Sequence, residues 1–123
     1  PSFSFVATAN AVITAGAIPV FADVDPQTRC ISVKSIESVI STRTEAIIPV
    51  HYGGLPADMA SIESLASQQG IRIIEDSAEC LGGTYQGRAV GSHNVGCFSF
   101  FPTKNINIFN IRVISLYLRI TRP

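Results

Sequence analysis

One short pattern occurs three times in the chain, and this repetition limits the folds that the chain can adopt. The pattern is a short, continuous apolar run bounded by polar or turn-forming residues, and it occupies residues 18–24, 46–51 and 71–74. Continuous rather than alternating apolar runs are typical of strands that are buried on both faces of a parallel sheet. We therefore predict a parallel strand at each run.

The segments between these runs have the spacing of helices. Apolar side chains recur at helical intervals in residues 35–41 and 58–69, and Gly70 stands where a left-handed residue would end the second helix. Strands that alternate with helices form a helix-covered α/β sheet with right-handed crossovers. We predict at least three mutually parallel strands between residues 17 and 78.

Composition indicates one folded unit that does not bind nucleic acid. A chain of 123 residues forms at most one ordinary domain, and its 46% hydrophobic residues against 15% charged residues can fill a core. All nine acidic residues lie in residues 1–79, whereas residues 80–123 hold five basic residues. These five are scattered and form no nucleic-acid motif: Arg88, Lys104, Arg112, Arg119 and Arg122.

Cysteine usage and hydropathy predict a reduced, cytoplasmic protein. The three cysteines are an odd number without C-x-x-C spacing, which argues against a disulfide framework and a zinc site. We find no apolar run long enough to span a membrane and no signal-peptide pattern. We expect no metal and no membrane partner.

Two groups with complementary chemistry follow predicted strands. Asp76 comes just after residues 71–74, and Lys104, one of only two lysines, follows an apolar run at residues 95–101. Enzymes that use pyridoxal phosphate (PLP) need an amine for the cofactor aldehyde and a carboxylate for the ring nitrogen. Because open α/β sheets bind ligands at the carboxyl ends of strands, we expect Asp76, Lys104 and His51 at one crevice. Taken singly, their more common roles are those of a strand-end or helix-capping carboxylate, a surface lysine and a hydrogen-bonded strand-end histidine.

Five blocks of the sequence form an ordered pattern: residues 1–11, 19–25, 48–51, 75–79 and 98–105. In order and spacing, these blocks resemble the DegT/DnrJ/StrS family of PLP-dependent nucleotide-sugar aminotransferases. The resemblance implies the large domain of a fold-type I PLP-dependent transferase, a three-layer α/β fold with a mostly parallel sheet and helices on both faces. Since the family's chains are much longer, it also implies that residues 1–106 are an incomplete PLP-binding large domain.

The resemblance implies two catalytic residues that also bind the cofactor. Lys104 matches the lysine that forms the Schiff base with PLP, and its amine would later carry a proton between the substrate carbon and the cofactor. Asp76 matches the carboxylate under the ring nitrogen, which it would keep protonated through a charge-assisted hydrogen bond.

Four further residues match cofactor-binding positions of the family. The resemblance implies that Phe5 and Ala78 pack on opposite faces of the ring, that Ser99 donates to the phosphate, and that Glu79 faces the phenolic oxygen. Many family members have Gln or His where this chain has Glu79. A glutamate there is similar to perosamine synthases, which suggests amino transfer to C4 of a nucleotide-linked 4-keto-6-deoxysugar.

The activity that the resemblance implies is transfer of an amino group from glutamate to a nucleotide-linked ketosugar by a homodimer, in cell-surface polysaccharide or antibiotic sugar biosynthesis. The main alternative is a catalytically inactive fragment that acts at most as a structural or interaction module. A nicotinamide-dependent sugar epimerase is disfavoured, because no G-x-G-x-x-G follows a predicted strand.

Two parts of the family pattern are not found in the sequence. The phosphate-binding Gly-Thr-type turn would lie before Pro1, and the family's glycine-rich loop does not follow Ile106. Residues 107–123 contain no glycine and no acid, and we interpret them as a divergent tail from a shifted reading frame or a truncated gene. We expect that the isolated chain does not turn over.

Overall fold

The computed structural model describes residues 1–104 and the backbone of residues 116–119. Its helices are α1 (Val6–Thr14), α2 (Val33–Val39) and α3 (Met59–Gln69), and a 3-10 turn covers Tyr52–Gly54. Its strands are β1 (Ala46–Ile47), β2 (Arg72–Asp76), β3 (Thr84–Tyr85), β4 (Arg88–Ala89), β5 (Val95–Phe98) and β6 (Leu116–Arg119). The interpretation of residues 107–123 as a divergent tail therefore falls, apart from the backbone of β6, outside the described residues.

The main sheet has four strands in the order β1–β2–β5–β6. β2 pairs in parallel with both β1 and β5, whereas β6 runs antiparallel to β5. A parallel bridge between Val50 and Asp76 continues the pairing to the carboxyl end of β2. Parallel neighbours need a crossover connection, and α3 lies in the connection from β1 to β2. The prediction of an α/β fold with a mostly parallel sheet is confirmed.

One predicted strand does not form. Within residues 18–24, only Val24 makes a strand contact, an antiparallel bridge to Ile31. The large apolar side chains of the run are 83%, 68% and 57% exposed at Ile18, Val20 and Phe21. A strand is stabilised by hydrogen-bonded neighbours and by cover on its faces. In the part of the chain that the structure describes, residues 18–21 pair with no strand, and the side chains of Ile18, Val20 and Phe21 lie largely uncovered.

The expected number of parallel strands changes as a result. Residues 17–78 contain two parallel strands, β1 and β2, and the prediction of at least three in that segment is wrong. The third parallel strand is β5, which lies on the other side of β2.

The ends of α3 match the prediction because local side chains set them. The Asp58 carboxylate accepts hydrogen bonds from the Ser61 amide at 3.3 Å and from the Ser61 hydroxyl at 2.7 Å. Gly70 ends the helix in the left-handed conformation, with φ of 68°. Both are ordinary helix-capping devices.

The other two helices differ from the prediction. α2 begins two residues before the predicted segment 35–41, because the Ser32 hydroxyl caps it by accepting from the Ser35 amide at 3.4 Å. It ends at Val39 because Ile40 is extended. α1 was not predicted at all: its sequence shows no single apolar stripe, because Thr8, Asn10 and Thr14 interrupt the apolar residues, and none of its residues is buried.

The core lies where α2 and α3 pack with β1 and β2. Its buried members in these elements are Ile36, Ile47, Met59, Ile62, Ala66 and Ile73. The helices therefore fix the position of β2, which carries the acidic pair Glu75 and Asp76 at its carboxyl end.

A buried carboxylate joins three segments of the chain at this point. Glu75 is 0% exposed, and its oxygens accept hydrogen bonds from the Gly91 amide at 2.8 Å and the His93 amide at 2.7 Å. The third donor is His51, whose Nε2 lies 3.1 Å from Glu75 Oε2. The other ring nitrogen, Nδ1, accepts from the Ala57 amide at 3.0 Å. The proton of this neutral imidazole is therefore on Nε2.

The three donors determine the charge of Glu75. Burial by itself raises the pKa of this carboxyl group, but the hydrogen bonds from His51, Gly91 and His93 outweigh burial and bring the pKa below the ordinary value of 4.5. The side chain is therefore a buried anion whose hydrogen bonds fasten residues 91–93 to β2.

Two glycines allow the amide of Gly91 to reach this carboxylate. Gly91 has φ of +82°, and a Cβ atom there would collide with the ring of Phe98. A Cβ atom at Gly96 would collide with the carbonyl and Cα of Gly91. The turn and β5 therefore pack backbone against backbone, with no room for a side chain at either position.

We predict that Glu75→Gln lowers the free energy of unfolding by roughly 2–4 kcal/mol. Both oxygens of Glu75 accept N–H donors, so an amide NH2 in either orientation would face at least one of them. Chemical denaturation of both proteins measures the difference. The matched control is Glu37→Gln on the exposed side of α2, which should change stability by less than about 0.5 kcal/mol. Equal effects of the two substitutions would contradict a special role for Glu75.

We also predict that Glu75 makes the fold sensitive to acid. Because its pKa is lower in the folded chain than the ordinary 4.5, the unfolded chain binds the proton first as the pH falls. The contribution of Glu75 is complete above the unfolded pKa and is lost as the pH falls through the folded pKa. Unfolding free energies measured between about pH 5.5 and 3.5 should therefore fall more steeply for the unsubstituted chain than for Glu75→Gln. Parallel curves would show that another group carries the acid sensitivity.

Candidate active site

Asp76 ends β2 with its backbone held on one side by the segment after β1. Its amide donates to the Pro49 carbonyl at 2.8 Å, and its carbonyl accepts from the His51 amide at 3.0 Å. Successive side chains of a strand point to opposite faces. Glu75 is buried, so the half-buried Asp76 side chain projects from the other face of β2.

Two donors hold the carboxylate of Asp76. The Thr8 hydroxyl donates to Oδ2 at 2.6 Å, and the Ala78 amide donates to Oδ1 at 3.2 Å. Thr8 lies in the first turn of α1, so this contact brings the start of the helix to the end of β2. The predicted role of Ala78 is packing on a cofactor ring; the contact that the structure adds is its amide on Asp76.

Lys104 lies in a turn after β5 and pairs with Glu79. Its Nζ is 3.2 Å from Glu79 Oε1, and the second oxygen of Glu79 accepts from the Gly53 amide at 3.0 Å. The hydrogen bond from the Gly53 amide is the largest influence on the pKa of Glu79 and lowers it; burial, the next largest, raises it; the hydrogen bond and charge of Lys104 lower it further, and the pKa lies below its ordinary value. Glu79 is thus an anion that fixes the position of the lysine amine.

Lys104 and Glu79 open onto a shared cavity of about 330 Å³. The cavity is also lined by Gly53, Gly54 and Thr103. A lysine amine and a carboxylate at one cavity can bind a ligand that carries a carbonyl or an acidic oxygen. Asp76 does not line this cavity, so its approach to Lys104 across one crevice stays a prediction.

Phe5 lies three residues before Thr8, and Ser99 lies five residues before Lys104. Phe5 precedes α1, and its ring is 77% exposed, so that a face is available for stacking. The hydroxyl of Ser99 accepts from the Phe101 amide at 3.3 Å and can still donate its own hydrogen. Their predicted roles against the cofactor ring and phosphate stay predictions.

His51 does not project into a crevice. The side chain is fully buried, and both ring nitrogens have partners, Ala57 and Glu75. The expectation that it joins Asp76 at the ligand site is wrong, and its interpretation as a hydrogen-bonded strand-end histidine is confirmed. The physical reason is that Glu75, the neighbour of Asp76, points into the core, and its hydrogen bond with His51 keeps the imidazole there.

Sequence reasoning missed Thr8 and Gly53. Each contacts a predicted site residue from a distant part of the chain, Thr8 across 68 positions and Gly53 across 26. The only signal in the sequence is that Thr8 comes one helical turn after Phe5, a spacing that puts both on one side of a helix.

Within residues 1–104, we find no cluster of three or more His, Cys, Asp or Glu side chains that could hold a metal ion. No helix among the described residues is long and apolar enough to cross a membrane.

Three known proteins resemble the chain over most of its length. An Acidithiobacillus ferrooxidans protein named UDP-N-acetyl-3-dehydro-alpha-D-glucosamine 3-aminotransferase is 52% identical over 107 residues, which cover 86% of this chain and 29% of that protein. The structure of DesV from S. venezuelae is 38% identical with a TM-score of 0.86, and the match covers 89% of this chain and 30% of DesV. The structure of NtdA from Bacillus subtilis, with its cofactor PMP bound, is 37% identical with a TM-score of 0.77, and the match covers 85% of this chain and 23% of NtdA.

The chain thus spans less than a third of the length of these relatives. The sequence model of the DegT/DnrJ/EryC1/StrS aminotransferase family matches residues 1–110, which include every predicted site residue. The fold agrees with fold-type I aminotransferase structures over this partial length. The chain belongs to the DegT/DnrJ/EryC1/StrS aminotransferase family.

Proposed function

We propose that the chain is the cofactor-binding part of an enzyme that uses PLP to transfer an amino group from glutamate to a nucleotide-linked ketosugar. The observation that carries this proposal is the pairing of Lys104 with Glu79 at one cavity, in a chain of an aminotransferase family. A partly buried lysine is the group that bonds the aldehyde of PLP.

The chemistry of the donor set fits PLP. When bound, PLP supplies a ring that withdraws the electrons left on the substrate carbon. Lys104 offers the amine for its aldehyde, and Asp76 offers a carboxylate that two hydrogen bonds already hold. Ser99 offers a hydroxyl that can donate to the phosphate. PMP, bound in the similar NtdA structure, is the amino form of the same cofactor and supports this choice.

Each residue has a role that follows from its chemistry. Asp76 holds a proton at the ring nitrogen. Lys104 would hold the cofactor through its amine; once an incoming amine has replaced it, the freed amine of Lys104 would move a proton to or from the substrate carbon as a general base and acid. Glu79 holds the amine of Lys104 on the cavity side, and with PLP bound it would face the phenolic oxygen of the cofactor. Phe5 and Ala78 cover the two faces of the ring and exclude water.

The substrate is inferred from relatives and from one residue. The name of the Acidithiobacillus ferrooxidans relative supports a nucleotide-linked sugar with a keto group at C3. Glu79, through the resemblance to perosamine synthases, supports a keto group at C4 instead. We take the C3 ketone as the first candidate, because 52% identity over 107 residues outweighs a single position.

The alternative, an inactive fragment with a structural or interaction role, is favoured by one observation. Large apolar side chains are exposed at the start of the chain: Phe3, Phe5, Val6, Ile13, Ile18, Val20 and Phe21. Seven such side chains within residues 3–21 are more than a scatter of single exposed residues, and exposed apolar surface is typical of a face that another segment or subunit covers. In the proposed enzyme, a second copy in a homodimer or the remainder of a longer chain would cover it. Glutamate-dependent amino transfer by the isolated 123 residues would rule out the inactive fragment.

We predict that PLP followed by borohydride labels Lys104. The chain has only two lysines, Lys34 and Lys104, and only Lys104 lies at the cavity. Mass spectrometry of peptides should find the phosphopyridoxyl group on Lys104, lose it in Lys104→Ala, and keep it in the matched control Lys34→Ala. Equal labelling of both lysines would mean that the amine has no special site.

We predict that Lys104→Ala, in the longer protein of which we propose this chain is a part, lowers amino transfer by at least about 100-fold. The amine both binds the cofactor and moves the proton, so no neighbouring group replaces it. Amino transfer is measured with glutamate and a nucleotide-linked 3-ketosugar or 4-ketosugar. Lys34→Ala on the exposed side of α2 should leave the rate unchanged. A fully active Lys104→Ala protein would overturn the enzyme assignment.

A further inference from the structure

We infer that Thr8 is a positioning residue, which holds the carboxylate of Asp76 in the orientation that a pyridine nitrogen requires. The inference rests on the proposed function, because it concerns the same cofactor site. Thr8 is not among the site residues that the family resemblance implies, and only the folded chain brings it to Asp76.

The direction of the hydrogen bond follows from the groups. An ionised carboxylate only accepts, so the Thr8 hydroxyl must donate to Asp76 Oδ2, at 2.6 Å. Ser4 Oγ lies 3.5 Å from the same hydroxyl oxygen. Since Thr8 has only one hydroxyl hydrogen, Ser4 must be the donor of this weaker contact. The hydrogen bonds therefore run in one direction, from Ser4 to Thr8 to Asp76.

The two donors on Asp76 restrict its carboxylate. Thr8 occupies one oxygen and the Ala78 amide occupies the other, so rotation of the carboxylate plane would break one of the two hydrogen bonds. A carboxylate has about four lone-pair sites, so two still remain for a ligand. Charge-assisted hydrogen bonds depend strongly on alignment, so a fixed plane favours one position of the pyridine N–H.

α1 makes this arrangement informative about function. None of its residues is buried, so the helix contributes no side chain to the core. An apolar contact of the Thr8 methyl group would therefore add little to the free energy of unfolding. The contact that Thr8 does make is polar: its hydroxyl reaches Asp76, a predicted site residue 68 positions away in the sequence.

The chain provides matched variants. Thr8→Val removes the hydroxyl and keeps the shape, whereas Thr8→Ser keeps the hydroxyl. Thr14→Val makes the same chemical change at the exposed other end of α1 and serves as the control. Asp76→Asn tests the site assignment itself.

The first measurement needs no cofactor. In the cofactor-free chain, the NMR signal of the Ala78 amide reports on the Asp76 oxygen to which it donates. We expect Thr8→Val to move this signal by several times the change caused by Thr14→Val, and Thr8→Ser to leave it near its original position. A Thr8→Val signal that does not move would show that Thr8 does not orient the carboxylate, and would overturn the inference.

The second measurement uses the longer protein loaded with PLP that carries ¹⁵N in its ring. We expect Thr8→Val to shift the ring-nitrogen resonance toward that of the unprotonated pyridine and to weaken PLP binding about tenfold. Thr8→Ser should restore both. Weaker binding with an unchanged nitrogen resonance would show a merely structural role and would overturn the inference.

Asp76→Asn distinguishes a failure of the site assignment from a failure of the role of Thr8. If it leaves the nitrogen resonance unchanged, Asp76 does not pair with the ring nitrogen, and the site assignment of the proposed function fails. If Asp76→Asn shifts the resonance and Thr8→Val does not, the site assignment stands and only the role of Thr8 is overturned.

Discussion

The buried carboxylate of Glu75 is the interaction on which the arrangement of the other segments depends. An ion inside a protein is tolerated only when donors surround it. Here the donors come from His51 and from the turn at residues 91–93, on either side of β2. Satisfying one charge therefore fixes the segment after β1, the turn before β5 and β2 itself relative to one another.

The same carboxylate determines what its neighbour can do. Because side chains alternate along a strand, an inward Glu75 requires an outward Asp76. The register of β2 therefore sets the orientation of both the buried Glu75 and the candidate site residue Asp76. A shift of β2 by one residue would turn each side chain to the opposite face of the sheet, so that Asp76 would point into the core and Glu75 outward. Stability and site geometry are coupled at this pair through the backbone alone.

Sequence reasoning succeeded where the determining contacts are local. The caps of α3, Asp58 and Gly70, act within one helical turn and could be predicted. It failed where a partner was needed: residues 18–24 have the composition of a strand, but no described strand pairs with residues 18–21. Lys104 was predicted from its chain position and the family resemblance, whereas the contact of Thr8 with Asp76 joins residues whose proximity exists only after folding.

The close approach of Gly91 and Gly96 has a consequence for how the sequence can vary. A side chain at Gly96 would displace the turn that carries the Gly91 amide, and the displacement would withdraw a donor from Glu75. Loss of a donor brings the proton affinity of that carboxylate back toward that of a free glutamate. A screen for substitutions that change the tolerance of this fold to acid should therefore identify Gly96 as well as Glu75, although a glycine has no titratable side chain.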